Sequence, residues 1–276
     1  MLPLRSLQSV TRLFTGSLSP RSRSGRSWSD ALSLVQTGAI AAVSLDCFDT
    51  LLARGIPDRE QLVLAETAGL GTGYSASQAL HSLSVGRERA KRLAAGDQEP
   101  TAASIWTEYC AAIGIPQSAA TQLCAHELKL LEMTSFASPE ALNFVTAVES
   151  FHLPWIVCSD TRWSATFLSG LLRGKGFAIG PESIFCSCDH GKSKFRGGLY
   201  PIAYQCMIET IGRNVPPSSI LHIGDNFFAD NCSAAAFGML TVNIPSSFRQ
   251  PASAADADVV KAYLETVRRD IALDIR

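Results

Sequence analysis

The strongest constraint on the fold is an apolar run that stops at a carboxylate. Residues Ala39 to Leu45 are mostly apolar, Asp46 follows them directly, and Asp49 comes three residues later. A run of this kind predicts a buried parallel strand that continues into a loop. In open α/β sheets, binding sites form just beyond the carboxyl ends of the strands. Asp46 therefore lies where a nucleophile or a metal ligand is expected, although an Asp that caps a following helix is the commoner case for such a residue taken alone.

Length and composition narrow the class of protein. The chain has 276 residues, 46% of them hydrophobic, and a formal net charge of −1. It is long enough for one large α/β domain, or for a core domain with a smaller second one. The near-neutral charge does not favour nucleic acid or an acidic membrane surface, and no apolar run approaches the ~20 residues of a membrane span. We therefore expect neither a nucleic-acid nor a membrane partner, and nothing in the sequence specifies an oligomeric state.

The eight cysteines and the N-terminal segment bear on the cellular compartment. Several cysteines lie in apolar, strand-like runs, where a thiol acts as a small buried hydrophobe. The segment Cys186-Ser187-Cys188 alternates as a strand does and has no second Cys/His pair at zinc spacing. We expect reduced thiols and a cytoplasmic protein. Residues 1–30 are rich in Arg and Ser, with Asp30 as their first acid, so they resemble a disordered basic tail or a transit peptide, and the latter would make the protein organellar.

Strand-type patterning ceases after Leu52 and returns near Leu153. The intervening pattern is helical and is broken at glycine and proline. The predicted helices are Arg59–Gly69, Ala76–Ala95, Thr101–Ile113, Ser118–Met133 and, returning to the sheet, Pro139–Ser150. An insertion of this length between two strands predicts a lid over the site.

The remainder of the chain alternates between strands and helices. Further strands are predicted at Leu153–Cys158, Ser183–Ser187, Ser219–Ile223 and Met239–Ile244. Helices are predicted at Trp28–Thr37, Trp163–Arg173, Leu199–Gly212, Cys232–Gly238 and from Ala257 onward. This alternation predicts an α/β fold with a doubly wound parallel sheet of about five strands. We divide the chain into a disordered or targeting segment (1–30), an α/β core (31–54 and 139–276) and a helical cap (55–138).

Polar groups follow four of the predicted strands. In chain order they are Asp46, Ser159 with Asp160, Lys192 with Lys194, and Asp225 after Gly224. The carboxyl ends of parallel strands meet at one edge of a sheet, so these groups are expected to gather there.

In these motifs and in their order, the chain strongly resembles the haloacid dehalogenase (HAD) superfamily of phosphohydrolases. The resemblance covers about residues 40–245. It rests on Asp46-Cys47-Phe48-Asp49-Thr50, Ile156-Val157-Cys158-Ser159 with Asp160, Lys194-Phe195-Arg196-Gly197-Gly198-Leu199-Tyr200 and Gly224-Asp225-Asn226-Phe227-Phe228-Ala229-Asp230. It implies a HAD-like Rossmannoid core with a type-1 helical cap. It also implies Mg²⁺-dependent hydrolysis of a small phosphorylated metabolite.

The resemblance implies a nucleophile and a metal site. Asp46 would form an aspartyl-phosphate intermediate. Asp46, the backbone carbonyl of Phe48 and Asp225 would hold Mg²⁺, together with waters and the phosphate. Asp230 would orient the metal-binding loop without contacting the ion.

The resemblance also implies phosphate-binding residues. Ser159 would donate a hydrogen bond to a phosphate oxygen, and a lysine would offset the negative charge. Lys194 matches the family pattern Lys-x-x-Gly-x-Leu-Phe/Tyr better than Lys192 does. Arg87, on the predicted helix Ala76–Ala95, could reach the phosphate or a second anionic group, although a solvated charged face is the commoner role for such a residue.

One position departs from the family. Its phosphatases carry a second aspartate two residues after the nucleophile as acid/base, whereas this chain has Phe48 there and Asp49 one residue later. Asp49 or a cap residue could serve as acid/base, or the chain could be a catalytically weak or inactive phosphate- or partner-binding protein. Phosphonate-type C–P cleavage is a further alternative, because such relatives also lack this acid. Dehalogenase chemistry fits less well, since it does not need the metal site that Asp225 indicates. Asp49 could equally be a helix cap or a loop hydrogen-bonder.

Overall fold

A five-stranded parallel sheet forms the centre of the molecule. The computed structural model describes residues 27–55, 76–93 and 99–244, with side chains in the second range from Leu83 onward. The strands are β1 (Ala42–Leu45), β2 (Leu52–Arg54), β3 (Ser135–Ala137), β4 (Trp155–Ser159), β5 (Ile184–Cys186), β6 (Ile220–Gly224) and β7 (Leu240–Asn243). The main sheet has the order β5-β4-β1-β6-β7, and every neighbouring pair in it is parallel.

The described helices follow the predicted rhythm. They are α1 (Trp28–Gln36), α2 (Ala76–Leu93), α3 (Ala102–Ile113), α4 (Ser118–Thr134), α5 (Pro139–Ser150), α6 (Ala165–Gly174), α7 (Ser187–His190), α8 (Leu199–Ile211) and α9 (Ala234–Phe237). Short 3₁₀ turns at Pro181–Ser183 and Pro217–Ser219 precede β5 and β6, and a π-helix spans Phe227–Ser233. The helix starts have local causes. Ser27 and Asp30 form a capping box for α1, and Ser138 caps α5 with Pro139 in its first turn.

Alternate residues of the buried strands face two separate cores. Val43, Leu45 and Val157 belong to a core that includes apolar residues of α1, α5 and α6. Ile156 and Cys158 belong to a second core with residues of α8 and α9. Because helices cover both faces, the strands read as continuous apolar runs in the sequence. The predicted fold class, a doubly wound parallel α/β sheet, is confirmed.

Strand β1 occupies the point where the chain changes direction across the sheet. The chain moves from β1 to β4 and β5 on one side, then crosses to β6 and β7 on the other. A crevice forms at such a switch point, outside the carboxyl ends of the strands. Asp46 directly follows β1 and therefore lies at this crevice.

The helices α2 to α4 pack around a core of their own. It contains Trp106 and Tyr109 from α3 and Leu123 and Leu130 from α4. Helix α2 approaches α3 at Gly86, where a Cβ atom would lie 2.9 Å from the backbone of Tyr109. Glycine weakens a helix interior by about 1 kcal/mol relative to alanine, and here it permits that close packing.

A buried ion pair connects these helices to the sheet. Glu127 of α4 is fully buried and accepts hydrogen bonds from Trp106 Nε1, at 2.7 Å, and from Arg162 Nε, at 2.9 Å. Arg162 lies in the loop after β4, and its carbonyl accepts a hydrogen bond from Ala102 N at the start of α3. Helices α3 and α4 are thus attached to the loop that follows Ser159.

Three local predictions were wrong. Cys186-Ser187-Cys188 does not continue as a strand. β5 ends at Cys186, and Ser187 starts α7, because its hydroxyl exchanges hydrogen bonds with the backbone of Thr161. Helical structure near Cys232 begins earlier, as the π-helix from Phe227. The region between Pro57 and Ser150 also contains β3, which pairs antiparallel with β2.

Some predictions fall on residues outside the described ranges. They concern the helix Arg59–Gly69, the helix from Ala257 and most of the segment 1–30. Within the described part of the chain, no helix has both the length and the apolar character needed to cross a membrane.

Candidate active site

The loop after β1 is held in a compact turn. Asp46 is buried, and its backbone N–H donates to the carbonyl of Ile223 in β6 at 2.9 Å. The carbonyl of Cys47 accepts from the N–H groups of both Leu51 and Leu52. Asp49 has φ = +62°, a left-handed conformation that Asp tolerates better than most residues. No helix follows this turn before residue 55, so neither Asp46 nor Asp49 is the helix cap of the alternative interpretation.

Lys194 lies beside Asp46. Its side chain is almost fully buried, and Nζ is 2.6 Å from Asp46 Oδ1 and 2.5 Å from Asp230 Oδ1. The loop that carries Lys194 is held by Asp160, whose carboxylate accepts from the N–H groups of Lys194, at 2.6 Å, and Phe195, at 3.0 Å. Lys192 is exposed. The structure therefore places Lys194 in contact with Asp46.

Three carboxylates gather where β1 and β6 end. Oxygens from Asp46, Asp225 and Asp230 all lie within 4.8 Å of one another. The oxygens of Asp230 already accept hydrogen bonds from Lys194, from His222 at 3.2 Å and from Asn226 N at 2.9 Å. Asp46 and Asp225 are consequently the carboxylates of this cluster best able to offer oxygen to an ion.

The electrostatics of the cluster fit a hard divalent cation. Burial raises the pKa of Asp46 to about 7; the charges of Asp230 and Asp225 add to this rise, and Lys194 opposes it. Burial and the nearby charges of Asp49 and Asp230 raise the pKa of Asp225 to about 6. The raised pKa values mean that the charged forms of Asp46 and Asp225 need a nearby positive charge. A hard cation such as Mg²⁺, which prefers oxygen ligands, would supply that charge.

Asp230 is the carboxylate that the protein itself stabilises. Burial alone would raise its pKa, but the Lys194 ammonium and the hydrogen bond from His222 hold the pKa below its ordinary range. Lys194 likewise keeps its charge, because Asp230 and Asp46 outweigh the effect of burial and raise its pKa well above the usual value. Gly224 allows this packing, since a Cβ there would lie 2.2 Å from the Asp230 carboxylate.

His222, in β6, contacts Asp230, and Tyr200 of α8 contacts His222 in turn. The buried imidazole has Nδ1 2.9 Å from Ser44 Oγ and Nε2 3.2 Å from both Asp230 Oδ1 and Tyr200 Oη. Burial lowers the pKa of His222, which favours the neutral ring. His222 is a core residue, as predicted, but its contact with Asp230 was missed. The sequence did contain a signal for this contact, because His222 is a polar residue at an inward-facing position of an apolar strand.

All eight predicted site residues line one cavity of about 380 Å³. They are Asp46, Phe48, Asp49, Arg87, Ser159, Lys194, Asp225 and Asp230. Arg87 reaches this cavity from α2, and Ser159 reaches it from the end of β4. The fold thus brings together residues from the helical segment, from the ends of β1, β4 and β6, and from the loop after β5 that carries Lys194.

The cavity also contains residues that the sequence did not single out. Arg54, in β2, pairs with the carboxylate of Asp49. Its guanidinium lies 5.4 Å from the centroid of the Phe48 ring. Glu99 and Arg162 line the cavity as well. No sequence pattern indicated Arg54, which contacts Asp49 across a compact local turn.

The chain is similar to known proteins in its structure. A scan of family models and a search of curated proteins gave no match. Among solved structures, a haloacid dehalogenase-like hydrolase from Xanthomonas campestris aligns with a TM-score of 0.50 and 16% identity, over 84% of this chain and 95% of that one. The HAD-hydrolase YfnB from Bacillus subtilis, bound to magnesium, aligns at 0.49 and 15%, over 73% and 87%.

Dehalogenases are also among the structural matches. The defluorinating L-2-haloacid dehalogenase Rha0230 aligns with a TM-score of 0.49 and 16% identity, over 75% of this chain and 82% of that one. At these identities, structural similarity is evidence for the fold alone. The central parallel sheet and the alignment with the Xanthomonas hydrolase show that this chain has the fold of the haloacid dehalogenase-like hydrolases.

Proposed function

We propose that the protein is a Mg²⁺-dependent phosphohydrolase that acts on a small phosphorylated metabolite. The observation that carries this proposal is the placement of Asp46 at the end of β1, 2.6 Å from Lys194 Nζ and beside Asp225, facing a cavity. Phosphoryl transfer depends mainly on positioning and on neutralisation of charge. The buried Asp46 carboxylate is positioned at the cavity, and the Lys194 ammonium neutralises negative charge there. Asp225 is a second carboxylate that could bind a cation.

The reaction would proceed in two displacements on phosphorus. In the first, an Asp46 oxygen forms a bond to phosphorus while the bond to the leaving oxygen breaks, giving an aspartyl-phosphate. In the second, water attacks phosphorus, phosphate departs and the Asp46 carboxylate is regenerated. Lys194 offsets the charge of the phosphate and of Asp46, and the Ser159 hydroxyl donates to a phosphate oxygen.

Asp46, Asp225 and the Phe48 carbonyl are the groups that would hold Mg²⁺. When bound, the ion would supply further positive charge at the phosphate oxygens. Asp230 would keep Lys194 in place through the contacts described above. The helical segment 55–138 would act as a cap, and Arg87, which lines the cavity, would bind the phosphate or a second anionic group.

The proposed acid/base is Asp49. Its carboxylate lines the cavity and is paired with Arg54, which holds it in one orientation. A group that gives a proton to the leaving oxygen and later takes one from water contributes about 10²–10⁴-fold to the rate. The rival to the enzyme is a phosphate- or partner-binding protein with weak turnover, and Phe48 at the usual acid/base position is the residue that favours it.

Replacing Asp49 with Asn is expected to lower kcat by about 10²–10⁴-fold, because an amide cannot exchange this proton. Mg²⁺ affinity, measured by titration calorimetry, is expected to change by less than about threefold, since Asp49 is not a proposed ligand. Glu88→Gln is the control, because Glu88 is an exposed acid of α2. It is expected to leave kcat and Mg²⁺ affinity unchanged. Full activity in Asp49→Asn would transfer the assignment to another cavity carboxylate, with Glu99 the first candidate.

Phosphate release from a panel of phosphorylated metabolites, with Mg²⁺ or with EDTA, tests the function. Release that requires the metal is the expected result. Metal and phosphate binding without turnover on any compound would favour the binding protein. Cleavage of phosphonates, or metal-independent halide release from 2-haloacids, would replace the phosphatase with a C–P hydrolase or a dehalogenase.

A further inference from the structure

Phe195 places an exposed aromatic ring at the catalytic cavity. It directly follows Lys194, lines the same cavity and is 61% exposed. Both flanks of its backbone are held, because its N–H donates to Asp160 and its carbonyl accepts from Ser233 Oγ at 2.9 Å. A phenyl ring kept in water by a well-anchored backbone is a candidate ligand contact.

Phe48 is a second phenylalanine among the residues that line the cavity. It is partly buried and packs against the main core, and the Arg54 guanidinium lies near its face. Phe48 follows Asp46 by two positions, and Phe195 directly follows Lys194. A phosphate held at Asp46 and Lys194 would therefore direct its organic substituent into a cavity whose lining residues include Phe48 and Phe195.

We propose that the substrate carries a planar aromatic ring on its leaving group and that Phe48 and Phe195 bind this ring. The inference rests on the proposed phosphohydrolase function and specifies its substrate class. Aromatic pairs gain affinity beyond the area they bury, and a stacked ring keeps its contact while its other face remains in water. That arrangement suits Phe195, whose ring is open to solvent.

The adjoining loop offers a matched control. Phe227 and Phe228 follow Asp225 closely, are also exposed and contact each other edge to face at 5.6 Å. Neither belongs to the described lining of the cavity. Phe228 is 64% exposed, so Phe228→Ala removes a phenyl group comparable to that of Phe195 without altering the cavity.

Three phosphonates that share one head group test the proposal. Methyl-, cyclohexyl- and phenylphosphonate are titrated calorimetrically into the Mg²⁺-loaded protein, at a pH where all are dianions. Phenylphosphonate is expected to bind about 10-fold more tightly than each of the others. Phe195→Ala is expected to reduce that preference to about twofold with methylphosphonate affinity unchanged, Phe195→Trp to retain it, and Phe228→Ala to leave it intact.

The outcomes separate this inference from the function on which it rests. Equal affinity for phenyl- and methylphosphonate, or for phenyl- and cyclohexylphosphonate, would overturn the aromatic substrate class. So would an equal loss of preference in Phe195→Ala and Phe228→Ala. Failure of all three phosphonates to bind would overturn the proposed phosphate site and this inference with it.

Discussion

Asp46→Asn is expected to lower kcat for phosphate release by about 10⁵-fold or more, the scale of loss when a covalent nucleophile is removed. An amide oxygen is a poor nucleophile toward an anionic phosphate, and the exchange also weakens the proposed Mg²⁺ site. Steady-state and single-turnover phosphate release measure the effect. Acid quenching should trap a phosphoenzyme in the wild type and none in the variant.

A folding control separates this loss from unfolding. Burial raises the pKa of Asp46 to about 7, so its negative charge is costly in the metal-free fold. The thermal midpoint of Asp46→Asn in EDTA is therefore expected to equal or exceed that of the wild type. More than a few per cent of residual turnover in a homogeneous preparation would place the nucleophile elsewhere.

Lys194→Met is expected to destabilise the protein by about 3–5 kcal/mol, because it leaves buried carboxylates without their cation. Asp46 and Asp230 both contact Nζ, and both are buried. The same substitution should remove measurable phosphate release, since charge neutralisation at the phosphate is lost. Denaturant unfolding monitored by fluorescence, in EDTA and in Mg²⁺, measures the stability change.

Lys192→Met is the matched control for the lysine assignment. Lys192 is exposed and two residues away, so its replacement is expected to change stability by less than about 0.5 kcal/mol and to leave turnover intact. Similar losses of stability and turnover in both variants would mean that Lys194 is no more important to the site than Lys192. A larger loss in Lys192→Met would reverse the assignment.

The long elements could be predicted because their signals are local. Helix α5 has its predicted bounds, Pro139–Ser150, and α4 ends one residue later than predicted. A proline in the first turn, a serine cap and a helical spacing of apolar residues all lie within a few positions. The end of β1 was equally clear, since an apolar run stops at Asp46 and a buried strand cannot continue through an unpaired charge.

The short elements could not be predicted because tertiary contacts form them. Strands β2 and β3 have three residues each, too few to show an alternating pattern, and they pair across the helical segment. Ser187 ends β5 by bonding to the backbone of Thr161, 26 residues away. The π-helix begins where the Asn226 side chain accepts from two backbone N–H groups.

The order of apolar runs and polar residues along the chain was enough to predict that carboxylates, a serine and a lysine would meet at one edge of a parallel sheet. This follows from strand direction: the five strands of the main sheet run the same way, and polar groups follow four of them. A sequence pattern favoured Lys194 over Lys192, but the contact of Lys194 with Asp46 and the pairing of Arg54 with Asp49 are seen only in the folded chain. Lys194 is 148 residues from Asp46, and its approach depends on a loop that Asp160 holds. Contacts across such distances follow from the packed backbone, which local patterns do not encode.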